Sequence, residues 1–326
     1  MPKGILDLLS EGVVLGDGGY LLELEQRGWV RAGPFTPEVA LTRPEALQEL
    51  HVEFREAGAE VLQALTFYAS RDKLATVGLA DRLADLNRAA IRIARQAAED
   101  RCLVAGNLSL TWMYDPADSA SPDRVRRLFD EQLAVMTDER VDFIIAETFS
   151  WTGEALLAAE RIRAAHLPAM VTMCFENADL TPEGHSPALA ARRLADAGAD
   201  IVGINCLRNP ETTLPLMRQV RDAVRGYIAC QPAAFRTPPG KPDFTSLPEF
   251  PSSLEPLQLS RQAMADYAVA ARDLGVNYIG ACCGASAAHI RAMAEALGKL
   301  LPDSRLWKTG AARPMSAFEY YGHEKK

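Results

Sequence analysis

The chain has 326 residues, 48% of them hydrophobic and 24% charged, with a formal net charge of −8. That length fits one barrel of eight strands and eight helices, and the composition is that of a protein with a large buried core. An acidic balance presents no basic face to a phosphate backbone, and no apolar run is long enough to span a bilayer, so neither nucleic acid nor membrane is an expected partner.

The N-terminal MPKGILDLLSEG has no apolar core followed by small residues, so a cytoplasmic protein is expected. Eight short apolar runs follow in order: VVLGD (13–17), EVLQALTF (60–67), CLVAGNLS (102–109), FIIAET (143–148), AMVTMC (169–174), DIVGINC (200–206), YIACQ (227–231) and YIGACC (278–283). Each is too short and too apolar for anything but a buried parallel strand. Between them lie RPEALQELHVEFREAGA, LADLNRAAIRIARQAAED, SPDRVRRLFDEQLAVMTDER and SRQAMADYAVAARDLGV, whose apolar residues recur at three and four positions as in helices with one core-facing stripe. Gly58, Gly198 and Gly275 stand where helices end before the next strand.

This alternation predicts an α/β fold, a single (β/α)8 barrel of the TIM type over 1–301, with 302–326 as a C-terminal tail packing on the barrel or on a second subunit. The first turn, GDGGYLLELEQRG, lacks the G-x-G-x-x-G spacing and acidic ribose partner of a dinucleotide site, so its glycines are read as serving a tight turn. Two segments interrupt the pattern: GWVRAGPFTPE (28–38) and the proline-rich AAFRTPPGKPDFTSLPEFPSSLEP (233–256). The second is too long for a routine connection and falls on the catalytic face, as a substrate-covering loop would.

Catalytic groups in such a barrel come from the C-terminal ends of the strands. Those ends carry Asp17, Thr66, Phe67, Tyr68, Asn107, Glu147, Cys174, Asn205, Cys206, Gln231, Cys282 and Cys283. One strand separates the sixth from the eighth, so Cys206 and the Cys282–Cys283 pair converge over the barrel mouth. Neighbouring residues on a regular strand point apart, so both members of the pair serve one site only where the strand has ended, and Gly280 and Gly284 give that freedom. Three thiolates and one open position are the layout of a catalytic zinc site at the C-terminal face of the strands. Cys102, Cys174 and Cys230 read as core residues, and none of the five histidines lies at a strand end. Glu147, closing an apolar run, needs a partner for its charge, whereas Asp17 alone reads equally well as a turn residue.

The motifs GINC (203–206) and GACCG (280–284) resemble the zinc-binding motifs of the homocysteine S-methyltransferase family, and within it the betaine-using enzymes. The similarity extends through GDGGYLLELEQRG, RAGPFTPE, LQALTFYASRDKL, AETF, CQP and SLPEFP. It implies that Cys206, Cys282 and Cys283 hold Zn2+, that Tyr68 takes the open position when no thiol is bound, and that Asp17 and Glu147 receive the amino group of homocysteine. Gly18, Phe35, Phe67, Thr148, Asn205 and Gln231 complete the candidate substrate-binding set. The implied reaction moves a methyl group from an onium donor to homocysteine, giving methionine.

Aromatic faces suit such a cation, and Phe35, Phe67, Tyr68, Phe149, Trp151 and Phe235 are candidates near the mouth. Phe35 stands where the betaine enzymes carry tryptophan, Thr148 where they carry tyrosine and Ala64 where they carry threonine. Glycine betaine is the first-choice donor, followed by another betaine or a sulfonium such as S-methylmethionine or dimethylsulfoniopropionate. The expected assembly is a monomer or homodimer. Readings of another class are a zinc hydrolase, a non-catalytic zinc or thiol-binding protein, and a redox enzyme using a Cys282–Cys283 disulfide.

Overall fold

Strands buried on both faces must pair every backbone N–H and C=O within the sheet, and a parallel sheet closed on itself does this with only a short seam. A computed structural model describes residues 3–31 and 36–299. Its strands are β1 (Val14–Leu15), β2 (Val61–Gln63), β3 (Leu103–Ser109), β4 (Phe143–Phe149), β5 (Ala169–Met173), β6 (Ile201–Asn205), β7 (Tyr227–Gln231) and β8 (Tyr278–Ile279). All pair in parallel, in the order β1-β8-β7-β6-β5-β4-β3-β2.

The seam between β1 and β2 is closed differently. Glu60 N donates to Leu15 O at 2.8 Å, but the next bonds run to side chains: Leu15 N to Glu60 Oε2 at 2.8 Å and Gln63 N to Asp17 Oδ2 at 2.7 Å. Two carboxylates thus replace part of a backbone ladder.

Three strands are less than half as long as the apolar runs that announce them. Only two residues of 13–17, three of 60–67 and two of 278–283 enter the ladder. Beyond those points the backbone is committed to loop contacts, such as Ala281 N to Asp17 O, Thr66 N to Ala64 O and Cys282 N to Pro232 O. The apolar pattern continues because the loops are buried, not because they are strands.

The expected helices are present as Pro44–Ala57, Leu83–Ala98, Ser121–Asp138 and Arg261–Asp273. Gly58, Gly198 and Gly275 follow helices with φ of 107°, 93° and 87°, the left-handed conformation that ends a helix. The helix Ile5–Glu11 was not expected from the pattern, being too short to establish a period. Its Ile5 and Leu9 plug the N-terminal end of the barrel against Val14, Val61, Phe143, Ile145, Met170, Ile201 and Tyr278.

Among the described residues, no helix is long and apolar enough to cross a membrane. The anticipated tail, 302–326, lies outside the described residues.

Candidate active site

The C-terminal ends of the strands open into a cavity of about 430 Å³ whose wall is mostly apolar. On one side stand Cys206, Cys282 and Cys283, whose sulfurs all lie within 4.8 Å of one another, with Cys206 and Cys283 Sγ 3.6 Å apart. Tetrahedral ligands at a Zn–S distance of about 2.3 Å place sulfurs about 3.8 Å apart, so this trio fits zinc with three protein ligands and one position left for substrate.

The local backbone explains how residues from two strands meet. Cys206 and Leu207 both adopt left-handed φ, 55° and 56°, which turns the chain sharply after β6. The end of β7 is the peg between the two cysteine loops. Cys206 N donates to Gln231 O at 2.8 Å, Cys282 N to Pro232 O at 2.9 Å, and Ala234 N to Cys283 O at 2.8 Å. Gly19 lets the first turn pass against this assembly, since a Cβ there would lie 2.7 Å from the carbonyl oxygen of Cys282. Proton sharing with Cys282 and Cys283 holds the Cys206 thiol well below the ordinary range and pushes the other two up.

Across the cavity stands Glu147, only 4% exposed and held by three side-chain amides. Gln63 Nε2 and Asn107 Nδ2 donate to Oε1 at 2.5 and 2.7 Å, and Asn205 Nδ2 donates to Oε2 at 2.8 Å. Burial pushes Glu147 up to about 7, against the opposing effect of Gln63 and Asn107. A register shift in β4 between Ala146 and Phe149 brings Glu147 and Thr148 to the mouth, with Thr148 at φ 63°. Asn205 does not line the cavity; it fixes both residues from behind, accepting from Thr148 N at 2.9 Å and from Thr172 Oγ1 at 2.8 Å.

Asp17 is also fully buried, one layer behind the wall formed by Gly18, Tyr20 and Gln63. Tyr20 OH donates to its Oδ2 at 2.5 Å, and burial pushes Asp17 up to about 6. Gln231 lines the cavity, with a buried Oε1 that has no partner among the described residues.

The family's sequence pattern, homocysteine S-methyltransferase, matches residues 14–297. The chain belongs to the homocysteine S-methyltransferase family. It is similar to betaine–homocysteine S-methyltransferase 1 of Mus musculus, 46% identical over 311 residues that cover 90% of this chain and 75% of the relative. It is also similar to S-methylmethionine–homocysteine S-methyltransferase BHMT2 of Pongo abelii, 41% identical over 307 residues covering 90% and 81%. The metallated homocysteine methyltransferase MmuM of Escherichia coli superposes with a TM-score of 0.71 over 86% of this chain and 95% of that one, at 20% identity, and shares the barrel.

In this homocysteine S-methyltransferase family member the aromatic candidates divide. Phe67 and Tyr68 line the cavity, with ring centroids 4.9 Å apart in an edge-on pair. The buried Lys73 ammonium lies 5.0 and 4.9 Å from those two rings. Burial and the neighbouring thiols push Tyr68 up to about 12. Phe149 instead packs outward on Phe129, Trp151 packs on Tyr114, and Phe235, at the start of the covering segment, is buried against Phe244 of the same segment. Phe35 lies outside the described residues.

Sequence reasoning missed Phe244 and Phe250, which the 233–256 segment brings into the wall, as well as Tyr20 and Gln63. The segment's length was the signal for Phe244, and Phe250 also lies within SLPEFP, which the family resemblance covers without assigning it a role. Gln63 was hidden mid-run in a strand that ends earlier than its apolar pattern.

Proposed function

We propose that the chain is a zinc-dependent S-methyltransferase that moves a methyl group from an onium donor to homocysteine, giving methionine. The observation that carries this reading is the meeting of three thiols with a buried, amide-held carboxylate across one apolar cavity. Cys206, Cys282 and Cys283 would hold zinc, which supplies a fourth position that keeps a substrate thiol as the thiolate near neutral pH.

The other residues orient and enclose. Glu147, with Asp17 behind Gly18, receives the homocysteine ammonium, because a desolvated carboxylate is stabilised when a cation reaches it. Gln231 Oε1 is a free acceptor for the same substrate, and Asn205 with Thr148 holds Glu147 in place. Tyr68 and Phe67 face the donor together with Phe244 and Phe250, so the cation meets aromatic faces rather than water. Phe35 belongs to the same proposed set.

The thiolate sulfur attacks the methyl carbon, the new C–S bond forms as the onium bond breaks, and the electron pair leaves with a neutral amine or sulfide. No side chain need accept a proton in that step. The proposed assembly is a monomer or a homodimer.

Glycine betaine is the first-choice donor, since a relative named for betaine is 46% identical; a relative named for S-methylmethionine, 41% identical, keeps a sulfonium as the second reading. The test is methyl transfer by zinc-loaded protein to homocysteine with glycine betaine, dimethylsulfoniopropionate or S-methylmethionine, read as methionine by mass spectrometry. Methionine from one of these donors is expected. Bound zinc with no transfer from any of them would replace this reading with a binding role.

A further inference from the structure

A buried hydrogen-bonded chain ends on Asp17, and its other two members, Tyr20 and His51, have no part in the reading above. Tyr20 OH is 2.5 Å from Asp17 Oδ2 and 2.8 Å from His51 Nδ1. The Tyr20 and His51 rings are tilted at 55° with centroids 4.8 Å apart, and Phe54 meets the Tyr20 ring edge-on at 5.2 Å. His51 is fully buried on the Pro44–Ala57 helix, and its Nε2 has no partner among the described residues. Gln63 N donates to the same Asp17 oxygen at 2.7 Å, so the donors from other residues both fall on Oδ2.

Counting protons sets the direction of this chain. A tyrosine hydroxyl has one hydrogen, so it donates to Asp17 or to His51, not to both. A contact of 2.5 Å to a carboxylate is the length of a charge-assisted O–H···O⁻ bond. His51 must then donate through Nδ1–H to the Tyr20 oxygen, leaving Nε2 bare. The opposite arrangement puts a proton on Nε2, where a buried N–H would have no acceptor, and buried unpaired donors are the rarer defect. Neutral imidazole is the form burial favours, holding His51 down at about 3.

We propose that His51 and Tyr20 are positioning residues: the chain His51 Nδ1–H to Tyr20 O, and Tyr20 O–H to Asp17 Oδ2, clamps one carboxylate oxygen and leaves Oδ1 for the ammonium of the thiol substrate. This rests on the assignment of Asp17 to that ammonium. Tyr20 also lines the cavity beside Gly18 and Gly19, so the clamp joins the helix Pro44–Ala57 to the first turn of the site.

The experiment compares Tyr20→Phe, His51→Leu, His51→Asn and Asp17→Asn in the full-length, zinc-loaded chain. Kinetics with homocysteine and the active donor are paired with ¹⁵N spectra of histidine-labelled protein. Tyr20→Phe is expected to raise KM for homocysteine about tenfold, the worth of one hydrogen bond to a charged group, with kcat changed by less than about twofold. His51→Leu moves KM the same way, whereas His51→Asn, which keeps an N–H donor, restores it. The His51 ring should carry its proton on Nδ1 between about pH 6 and pH 8. A merely structural role would lower the yield of active enzyme without this split.

If Asp17→Asn raises KM for homocysteine while Tyr20→Phe leaves it unchanged, or if the ring proton sits on Nε2, the clamp is overturned and the ammonium site stands. If Asp17→Asn leaves KM unchanged, the ammonium assignment fails and the clamp falls with it.

Discussion

The two ends of the barrel are built from the same strands under opposite rules. At the N-terminal end, Ile5 and Leu9 cap a layer of Val61, Phe143, Met170 and Ile201, an apolar packing on regular strand backbone. At the C-terminal end the strands stop or bulge, Thr148, Cys206 and Leu207 take left-handed φ, and two carboxylates are buried with raised pKa. Close packing at one end supplies the stability that strained backbone and desolvated charge draw on at the other. Stability and chemistry should therefore respond separately to substitution.

The largest separation is expected from Cys206→Ala, which should abolish both zinc content and methionine formation while leaving the unfolding midpoint of the metal-free protein nearly unchanged. Elemental analysis beside mass-spectrometric assay measures it, and full activity without zinc would sink the mechanism. Phe143→Ala is the converse: a fully buried ring is lost from the bottom layer, at a cost of about 3–5 kcal/mol in denaturant unfolding. Activity per folded molecule should survive it. A Phe143→Ala protein that stays stable would break the division of labour.

Glu147→Gln should raise KM for homocysteine by roughly 10- to 100-fold, because the amide cage then surrounds no charge for an ammonium. An unchanged KM would remove Glu147 from the binding set. Gly19→Ala sharpens the contrast within the mouth itself. Its Cβ, 2.7 Å from the Cys282 carbonyl oxygen, forces the cysteine loop to shift, and zinc retention against a chelator should fall about tenfold.

The smallest effect is the pH dependence. Asp17 at about 6 and Glu147 at about 7 lie above ordinary carboxylate values of about 4, so the folded state holds these protons more tightly than the unfolded one. Their contribution to the stability of metal- and ligand-free protein is therefore complete below about pH 4 and lost as pH rises through 6 to 7. On the proposed assignment of both carboxylates to the ammonium, homocysteine binding should tighten over the same interval as they ionise. Urea midpoints and KM measured at about pH 5 and pH 8 test both signs, and Glu147→Gln should flatten the stability slope.

Much of the cysteine site was legible because it depends on strand count and position. Eight apolar runs place the sixth and eighth on either side of the seventh, so GINC and GACCG had to converge. The same reasoning placed Glu147 and Gln231 at the mouth. It failed for Phe149, Trp151 and Phe235, whose nearness to strand ends says nothing about which way a ring points. Asn205 lies at a strand end as expected, yet it acts through Glu147 and Thr148 rather than on the cavity.

Periodicity and residue type along the chain were enough to point to the barrel, the thiol trio and Glu147, since these follow from alternation, spacing and the rarity of charge in apolar runs, whereas Asp17 read alone was equally a turn residue and entered through the family resemblance. Where the strands end, how β4 bulges around Glu147, how β7 pegs both cysteine loops, and how Tyr20 reaches His51 were decided by packing between segments 24 or more residues apart. Those contacts depend on which side of a closed barrel each side chain faces, a property of the assembled sheet rather than of any local stretch of sequence.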